Sequence, residues 1–412
     1  MSFRIHHNFI TSSSMIKTPV AFFFNAEFPG GGTGKICLDI VEQLAAYGHP
    51  ITLYCYKAPT TRGSLDYEVI EIPHKPNQKM RKTEAEALPF LIKSLRERNI
   101  QLCFIPGFYY RYTKELREAS GCKIIYSLHS IPFWESIAKI SKLKALALTS
   151  PGRMLRWTFH DFWKIHVFQV YKKRQFRRYL TRLHEVDAYT VLCEGYRKTL
   201  LDTFSFDKTL KEKIKVLHNG SKLVSSPSSQ KDKVILFVGR IEFADKRPER
   251  LLQVWEKVYQ QLPDWKLKFV GDGPFRKNLE ILAQKLALPR ITFEGYKEDA
   301  TPYMDKAAIL CLTSTFEGWP LVITEAQMCG VVPMGFDVCD GMREQMAPQW
   351  ENGVIIPPFD IDAFAAALVK LAQNHELRER MGESVRTQAA RYSLEAAAKE
   401  YEQLIEQLTI SR

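Results

Sequence analysis

The 412-residue chain lacks any apolar run long enough to cross a membrane. Uninterrupted apolar stretches such as Val20 to Phe24 fall far short of the roughly 18 residues that a spanning helix requires. Residues Met1 to Lys17 are polar and contain no apolar stretch typical of a secretory signal. We therefore expect a cytoplasmic protein in which residues 1–17 form a disordered lead-in.

Closely spaced cysteines are also lacking. The chain has eight cysteines but no C-x-x-C pair, and the eight are scattered, several of them in apolar runs: Cys37, Cys55, Cys103, Cys122, Cys193, Cys311, Cys329 and Cys339. Zinc sites and disulfide scaffolds usually depend on regular or close cysteine spacing. The pattern predicts buried free thiols in a reducing compartment.

Acidic residues are few relative to basic ones, 46 against 58, which gives a net charge of +12. A basic balance of this size favours a polyanionic partner, whether phosphates, an anionic membrane or nucleic acid. The apolar fraction of 45% and charged fraction of 25% are ordinary for a globular protein, and the length predicts two domains.

Two series of alternating short apolar strands and amphipathic helices follow one another along the chain. The Ser-rich, Pro-broken stretch around residues 223–232 separates them and is the predicted linker. The first series spans residues 18–222 and the second residues 233–392. This pattern predicts an α/β fold of two doubly wound Rossmann-like domains that face each other across a cleft, with ligands at the carboxyl ends of the strands.

The segment Thr313 to Gly330 carries two glutamates, Glu317 and Glu325, separated by seven residues. Glu317 follows an apolar strand, and Gly318 and Pro320 then break the chain before a helix begins. The predicted helix N-terminus offers free N–H groups and a positive dipole end, which suit a phosphate. Glu325, one turn further, is placed to accept hydrogen bonds from a sugar diol.

The second domain opens on a strand ending in Gly239, and Arg240 and Lys246 follow it on the loop at the carboxyl end. Arginine binds phosphate in a bidentate manner and lysine is a compact point charge, so the two can neutralise a departing diphosphate. A solvated basic loop is the alternative, and the nearby glutamate pair argues against it.

The glycine loop at residues 30–34 is followed by Lys35 but is not a P-loop, because Pro29 and Ile36 occupy two of the motif positions. It also lacks the dinucleotide-binding glycine spacing. A loop without side chains can approach a diphosphate closely; a plain tight turn is the alternative.

Two other features bear on the chemistry. Asp360-Ile-Asp362 matches a loose D-x-D metal pattern, but it directly precedes an Ala-rich helix, so Asp362 is predicted to be an N-cap and no metal site is predicted. His129 ends an apolar strand, and both a packed histidine and a role in the cleft remain open.

Residues 139–182 combine basic and aromatic side chains, with twelve lysines and arginines against one acid, Asp161. Such a stretch can lie on an anionic membrane. A helical segment packed by its aromatic face on the first domain is the main alternative. Nucleic acid is disfavoured because no RNA-binding motif accompanies the segment.

The order and spacing of these elements resemble the retaining GT-B glycosyltransferases of family four, also called group 1. The resemblance rests on the E-x7-E segment Glu317–Glu325, Gly239-Arg240 with Lys246-Arg247, Val270 to Pro274, Gly30 to Gly32, and His218-Asn219-Gly220. It covers most of the chain. One departure is the stretch Phe336 to Gly341, where the family often has a paired-glycine loop.

The resemblance implies how the nucleotide part of a donor is bound. Arg240 and Lys246 are expected to hold the diphosphate, to which the backbone N–H groups of Leu321 and Val322 donate. Glu325 is expected to bind the ribose hydroxyls.

The resemblance also implies the sugar-side contacts. Glu317 is expected to contact the donor sugar, and His129 to lie near its outer edge. Gly32 and Gly239 are expected to line the donor site, and Tyr296 to lie near the base. The final helix, within residues 393–412, is expected to cross back onto the first domain.

The implied function is transfer of a hexose-type sugar, with retention, from a nucleoside diphosphate sugar to a lipid-linked or glycan acceptor in bacterial polysaccharide or lipopolysaccharide assembly. Glu317, Lys246, Arg240 and His129 are the expected catalytic residues, without a metal or cofactor, and the protein is expected on the inner face of the cytoplasmic membrane. Two alternatives remain open: a sugar-nucleotide epimerase on the same scaffold, which needs no acceptor, and a non-catalytic sugar-nucleotide-binding protein.

Overall fold

A computed structural model describes residues 17–25, 31–58, 66–75, 78–147, 150–163, 170–224, 227–228 and 230–410. The predicted lead-in, apart from Lys17, lies outside these ranges, as do Gly30 and parts of the basic segment 139–182. Within the described ranges, no helix combines the length and apolar character needed to cross a membrane.

The first domain contains a parallel sheet whose described strands run in the order β3-β2-β1-β4-β5-β6-β7. Its strands are β1 (Val20–Phe23), β2 (Ile51–Cys55), β3 (Glu68–Glu71), β4 (Leu102–Pro106), β5 (Lys123–Ser127), β6 (Ala188–Val191) and β7 (Ile214–Val216). The central strands are buried throughout, as the apolar runs predict, because helices cover both faces of a parallel sheet.

The helices of this domain connect successive strands. They are α1 (Gly31–Ala46), α2 (Met80–Glu97), α3 (Thr113–Ser120), α4 (Trp134–Ala147), α5 (Pro151–Arg156), α6 (Val170–Glu185), α7 (Glu194–Thr203) and α8 (Leu210–Lys213). A π-helical turn, Trp157–Asp161, continues α5. The long connection from β5 to β6 therefore holds the basic segment.

The second domain repeats the architecture with a parallel sheet in the order β10-β9-β8-β11-β12-β13 among the described residues. Its strands are β8 (Val234–Val238), β9 (Lys266–Val270), β10 (Ile291–Gly295), β11 (Ile309–Leu312), β12 (Val332–Phe336) and β13 (Val354–Ile356). Its helices are α9 (Glu249–Val258), α10 (Arg276–Lys285), α11 (Thr301–Lys306), α12 (Leu321–Met328), α13 (Asp340–Met346), α14 (Ile361–Gln373) and α15 (His375–Ala390).

The chain passes between the domains twice, and the two passages lie side by side. Ser221 N–H donates to the carbonyl of Tyr392 at 3.1 Å, and Leu394 N–H donates to the carbonyl of Ser221 at 2.8 Å. The last helix, α16 (Leu394–Ile410), buries Tyr401 and Ile405 among residues of α1 and the first sheet. The C-terminal helix thus packs on the first domain.

The predicted fold class, two doubly wound α/β domains, is confirmed. Sequence reasoning missed the edge strands β3 and β13 and the helices α7, α8, α13 and α15. β3 is half exposed and only four residues long, so its apolar signal is weak. All eight cysteines are buried free thiols, as predicted.

The predicted cap of α14 was wrong by two residues. Asp360, not Asp362, accepts a hydrogen bond from Ala363 N–H at 2.9 Å and is the N-cap. Asp362 lies inside the first turn and forms an ion pair with Lys257 at 2.8 Å. Asp360 is in the capping position because the side chain of an N-cap residue accepts from the N–H group three residues ahead.

Candidate functional site

Glu317 and Lys246 meet at the carboxyl edge of the second sheet. They lie on the loops after β11 and β8, which are neighbouring parallel strands, so both loops emerge at the same edge. Lys246 Nζ lies 2.7 Å from Glu317 Oε1, and the Ser314 hydroxyl donates to the same oxygen at 2.6 Å. The Glu317 side chain is only 8% exposed. A carboxylate this buried requires such partners.

Backbone contacts fix the loop that carries Lys246. The Thr313 hydroxyl donates to the carbonyl of Arg247 at 2.9 Å, and Thr315 N–H donates to the carbonyl of Asp245 at 2.7 Å. Arg250 donates to the carbonyl of Thr313 at 3.2 Å. The two loops are therefore joined before any ligand binds, which holds the lysine and the glutamate in register.

The N-terminus of α12 opens beside Glu317. Leu321 and Val322 are its first two residues, and Pro320 precedes them without a side-chain cap. Since the first N–H groups of a helix have no partner within it, these two remain available to an anion. The predicted position of this helix start is correct.

Glu325 lies one turn into α12, half-buried, and within the described residues no hydrogen bond reaches its carboxylate. Burial raises the pKa of Glu325, and the neighbouring charge of Lys35 opposes that rise. Lys35 belongs to α1 of the first domain. A carboxylate without protein partners, in a half-buried position, suits an external donor such as a sugar hydroxyl.

The other second-domain residues are more open. Arg240 is 61% exposed and pairs with Glu242 at 2.5 Å, so the structure does not join it to the Lys246–Glu317 pair. Tyr296, which follows β10, is 73% exposed. Gly239 has a φ of 149°. A Cβ atom on Gly271 would lie 2.0 Å from the carbonyl oxygen of Gly239. Glycine at 271 therefore permits the two loops to touch.

His129 and Gly32 contribute from the first domain. His129 Nδ1 lies 3.2 Å from Asn219 Oδ1, and its Nε2 lies 3.7 Å from Cys37 Sγ. Burial lowers the pKa of His129 to about 4, so the imidazole is neutral at physiological pH. Gly32, near the start of α1, is exposed, with open space where a Cβ would be.

Gly318 joins the two domains at the site. A side chain there would lie 3.1 Å from Cα of Ser130 and 3.5 Å from the carbonyl oxygen of His129. The Tyr196 hydroxyl, also from the first domain, donates to the Gly318 carbonyl at 2.6 Å. The loop that carries Glu317 is therefore anchored to the opposite domain immediately beside the predicted catalytic residue.

Two family models together match most of the chain. The model described as Glycosyltransferase Family 4 matches residues 30–223, and the model described as Glycosyl transferases group 1 matches residues 221–388. The chain belongs to the group 1 glycosyltransferases. The resemblance inferred from the sequence motifs is confirmed.

Known glycosyltransferases resemble this one along nearly its whole length. An uncharacterized glycosyltransferase of Haemophilus influenzae is 25% identical over 94% of this chain and 99% of its own. The apo lipopolysaccharide outer core galactosyltransferase WaaB has a TM-score of 0.66 at 16% identity and covers 95% of this chain and 99% of its own. Anabaena HepE in complex with UDP and glucose has a TM-score of 0.65 at 15% identity, covering 95% and 100%. The likeness of these structures shows the GT-B fold.

Sequence reasoning missed three residues of this glycosyltransferase's site: Lys35, Tyr196 and Ser314. Ser314 lies three residues before Glu317, and that short spacing is a signal that could have been used. Lys35 and Tyr196 are distant in sequence from the motif they face. Within the described residues, no cluster of three or more histidine, cysteine or acidic side chains could hold a metal ion.

Proposed function

We propose that this glycosyltransferase moves a hexose-type sugar from a nucleoside diphosphate sugar to a hydroxyl of a bacterial cell-surface glycan, with retention at the anomeric carbon. The observation that carries the proposal is the Lys246–Glu317 pair, 2.7 Å apart, beside the uncapped N-terminus of α12. A cation, a helix dipole and a held carboxylate in one place match a diphosphate next to a sugar.

The donor's nucleotide is proposed to lie along the second domain. Lys246 and Arg240 bind the diphosphate together with the N–H groups of Leu321 and Val322, and Glu325 binds the ribose hydroxyls. Arg240 is exposed and exchanges Glu242 for phosphate at little cost, because a surface ion pair contributes little. The complex of HepE, a protein of the same fold, with UDP and glucose supports a donor of this class.

The remaining donor contacts are proposed as follows. Tyr296 is free to stack on the base, since its ring is largely exposed. Gly239 and Gly32 line the donor site from opposite domains without side chains that would obstruct it. His129 lies at the sugar's outer edge as a neutral hydrogen-bonding group.

The chemistry is proposed to depend on charge stabilisation rather than on a covalent intermediate. Arg240, Lys246 and the α12 N-terminus stabilise the departing diphosphate without a metal, and a phosphate oxygen takes the proton from the acceptor hydroxyl. Glu317 stabilises positive charge on the sugar. Its Oε1 is already engaged by Lys246 and Ser314, which fixes its orientation and favours a positioning and electrostatic role.

The acceptor is proposed to be lipid-linked and reached from the inner face of the cytoplasmic membrane. Four basic residues on α6, Lys172, Lys173, Arg174 and Arg177, are exposed and have no ion pair within the described residues. Apolar side chains of the same β5–β6 connection are exposed as well: Met154, Leu155, Phe159, Phe162 and Trp163. A connection that exposes both basic and apolar side chains suits an anionic membrane. The name of WaaB, a lipopolysaccharide galactosyltransferase, supports an acceptor of this class.

A thermal-shift panel of nucleotide sugars tests the donor, because a ligand that binds the native state raises the melting temperature. We expect one nucleoside diphosphate sugar to raise it more than its nucleoside monophosphate. That donor is then incubated with lipid extracts and the product's anomeric configuration is determined by NMR. An inverted product contradicts retention. Conversion of the donor to an isomer without any acceptor supports an epimerase instead.

A further inference from the structure

His218 lies where the chain first passes from one domain to the other. It follows β7 and stands two residues before Gly220. A side chain on Gly220 would lie 2.7 Å from Cα of Leu394, so the two passages between the domains touch through their backbones. Any rotation of one domain relative to the other changes the surroundings of His218.

Both ring nitrogens of His218 face carboxylates. Nδ1 lies 2.8 Å from Glu400 Oε1, and Nε2 lies 2.8 Å from Glu344 Oε1. The backbone N–H of His218 also donates to Glu400 Oε2 at 2.9 Å. A neutral imidazole has a single N–H and donates to only one of two carboxylates, whereas the imidazolium donates to both. The geometry therefore fits a positively charged His218.

The two carboxylates belong to different domains. Glu400 lies on α16, which packs on the first domain. Glu344 lies on α13 of the second domain, and its Oε2 accepts a hydrogen bond from Glu194 N–H of the first domain at 3.1 Å. The first domain thus binds Glu344 twice, and the His218–Glu344 bond has to break if the domains separate.

His218 also contacts the loop that carries Glu317. Its ring centroid lies 5.4 Å from that of Trp319, two residues after Glu317, and 5.2 Å from that of Tyr392. The next residue in the chain, Asn219, bonds to His129. A change at His218 is therefore transmitted to both sides of the donor site through direct contacts.

We propose that His218, through its bond to Glu344, is a positioning residue that holds the two domains in the arrangement needed for transfer, and that its deprotonation releases them. This inference rests on the proposed glycosyl transfer. It assigns to His218 no contact with the substrate.

The charge of His218 supports the proposal. Burial opposes that charge, but hydrogen bonds from His218 to Glu344 and Glu400 raise its pKa to about 9. A raised histidine pKa means that the contact is fully present below the ordinary value near 6.5 and is lost as the pH rises through about 9. The other titratable groups around the adjoining cavity of about 630 Å³ are Glu194, Lys215, Arg391 and Tyr392.

The test compares His218→Gln and Glu344→Gln with two matched controls, His184→Gln and Glu379→Gln. The control residues belong to histidine–carboxylate pairs away from the hinge, His184 with Asp207 at 3.2 Å and Glu379 with His375 at 3.5 Å. Histidine ring protons are titrated by NMR, UDP affinity is measured by calorimetry, and nucleotide release from the best donor is followed from pH 6 to 10.

In the wild type, we expect the His218 signal to titrate near pH 9 and kcat to fall over the same range. Each hinge variant should lower kcat about tenfold at pH 7.5, with UDP affinity within about twofold, since both variants lose the charged hydrogen bond between His218 and Glu344. Glu344→Gln should also move the alkaline fall of kcat to lower pH. An unchanged alkaline fall, or equal losses in the controls, overturns the proposal.

Failure of the donor proposal is distinguishable from failure of this one. If the wild type neither binds UDP nor consumes a nucleotide sugar, glycosyl transfer is wrong. The hinge is then tested by small-angle scattering. The proposal is supported if the radius of gyration of the wild type increases when the pH exceeds 9, and if that of Glu344→Gln is already larger at pH 7.5. A constant radius in both overturns it.

Discussion

The donor-site loops of the second domain and the exposed α6 surface of the first domain differ in how their positive charge is paired. In the second domain, the cations near the site have acidic partners: Lys246 pairs with Glu317, Arg240 with Glu242, and Arg276 with Asp272. On α6 of the first domain, Lys172, Lys173, Arg174 and Arg177 have no such partners within the described residues. Burial, and then the charges of the neighbouring Arg174 and Arg182, lower the pKa of Arg178.

The difference separates two kinds of recognition. Paired cations are pre-positioned, so they recognise a small ligand that replaces or joins their partners at fixed distances. Unpaired cations create a field over a wide surface, which attracts a polyanion without fixing its orientation. This difference supports the proposal that the second domain binds the donor and that the α6 surface of the first domain contacts an anionic membrane.

The largest expected effect comes from removing a paired cation of the second domain. Lys246→Ala should lower kcat by about a hundredfold or more, because it removes a cation from the departing diphosphate. It also leaves the buried carboxylate of Glu317 without its ion-pair partner. Initial rates of nucleotide release measure the effect.

The matched control is Lys257→Ala, which removes a lysine of the same domain that pairs with Asp362 at 2.8 Å on the surface. Its turnover should equal that of the wild type. Normal turnover in Lys246→Ala contradicts the proposed role of the lysine.

A smaller effect is expected from removing the exposed lysines of α6. The double variant Lys172→Gln, Lys173→Gln should weaken binding to vesicles with 30% anionic lipid by about thirtyfold, since each basic side chain near such a surface contributes about 1 kcal/mol. UDP affinity should not change. Co-sedimentation with the vesicles measures the loss.

The double variant Lys277→Gln, Lys285→Gln changes the net charge equally on α10 of the second domain. If it weakens vesicle binding as much, net charge rather than the α6 surface is responsible. Binding of the wild type that is independent of anionic lipid also contradicts the membrane proposal.

The smallest expected effect is a pH-dependent change in stability caused by His129. Its folded-state pKa near 4 lies below the ordinary value of 6.5, so the unfolded chain binds more protons in between. Stability should therefore fall as the pH drops from 6.5 towards 4, by up to about 1.4 kcal/mol for each pH unit. The free energy of unfolding, measured by urea denaturation, should differ less between pH 7 and pH 4.5 in His129→Gln than in the wild type.

His184→Gln serves as the control for this measurement, because His184 is half exposed beside Asp207. An acid sensitivity that is the same in His129→Gln and in the wild type contradicts burial of a neutral imidazole at position 129.

Much of the second domain was predictable because its signals are local. β8 is a single apolar run, β9 alternates lysine with apolar residues, and Gly318 with Pro320 marks the start of α12. The helix α13 gives only a weak sequence signal, because it spans seven residues and its start, Asp340, falls in the stretch Phe336 to Gly341, where the family often has a loop. Its cap is Cys339, whose sulfur accepts from Met342 N–H, a residue type that seldom caps helices.

The sequence by itself determined the two α/β domains, the family and the glutamate pair, because strand, turn and helix signals depend on neighbouring residues. Only the tertiary structure decided that Lys246 bonds to Glu317, that Tyr196 anchors Gly318, and that His218 lies between Glu344 and Glu400. These contacts join residues 71 to 182 positions apart. The physical reason is that domain packing and strand order place them together, and neither leaves a periodic pattern in the sequence.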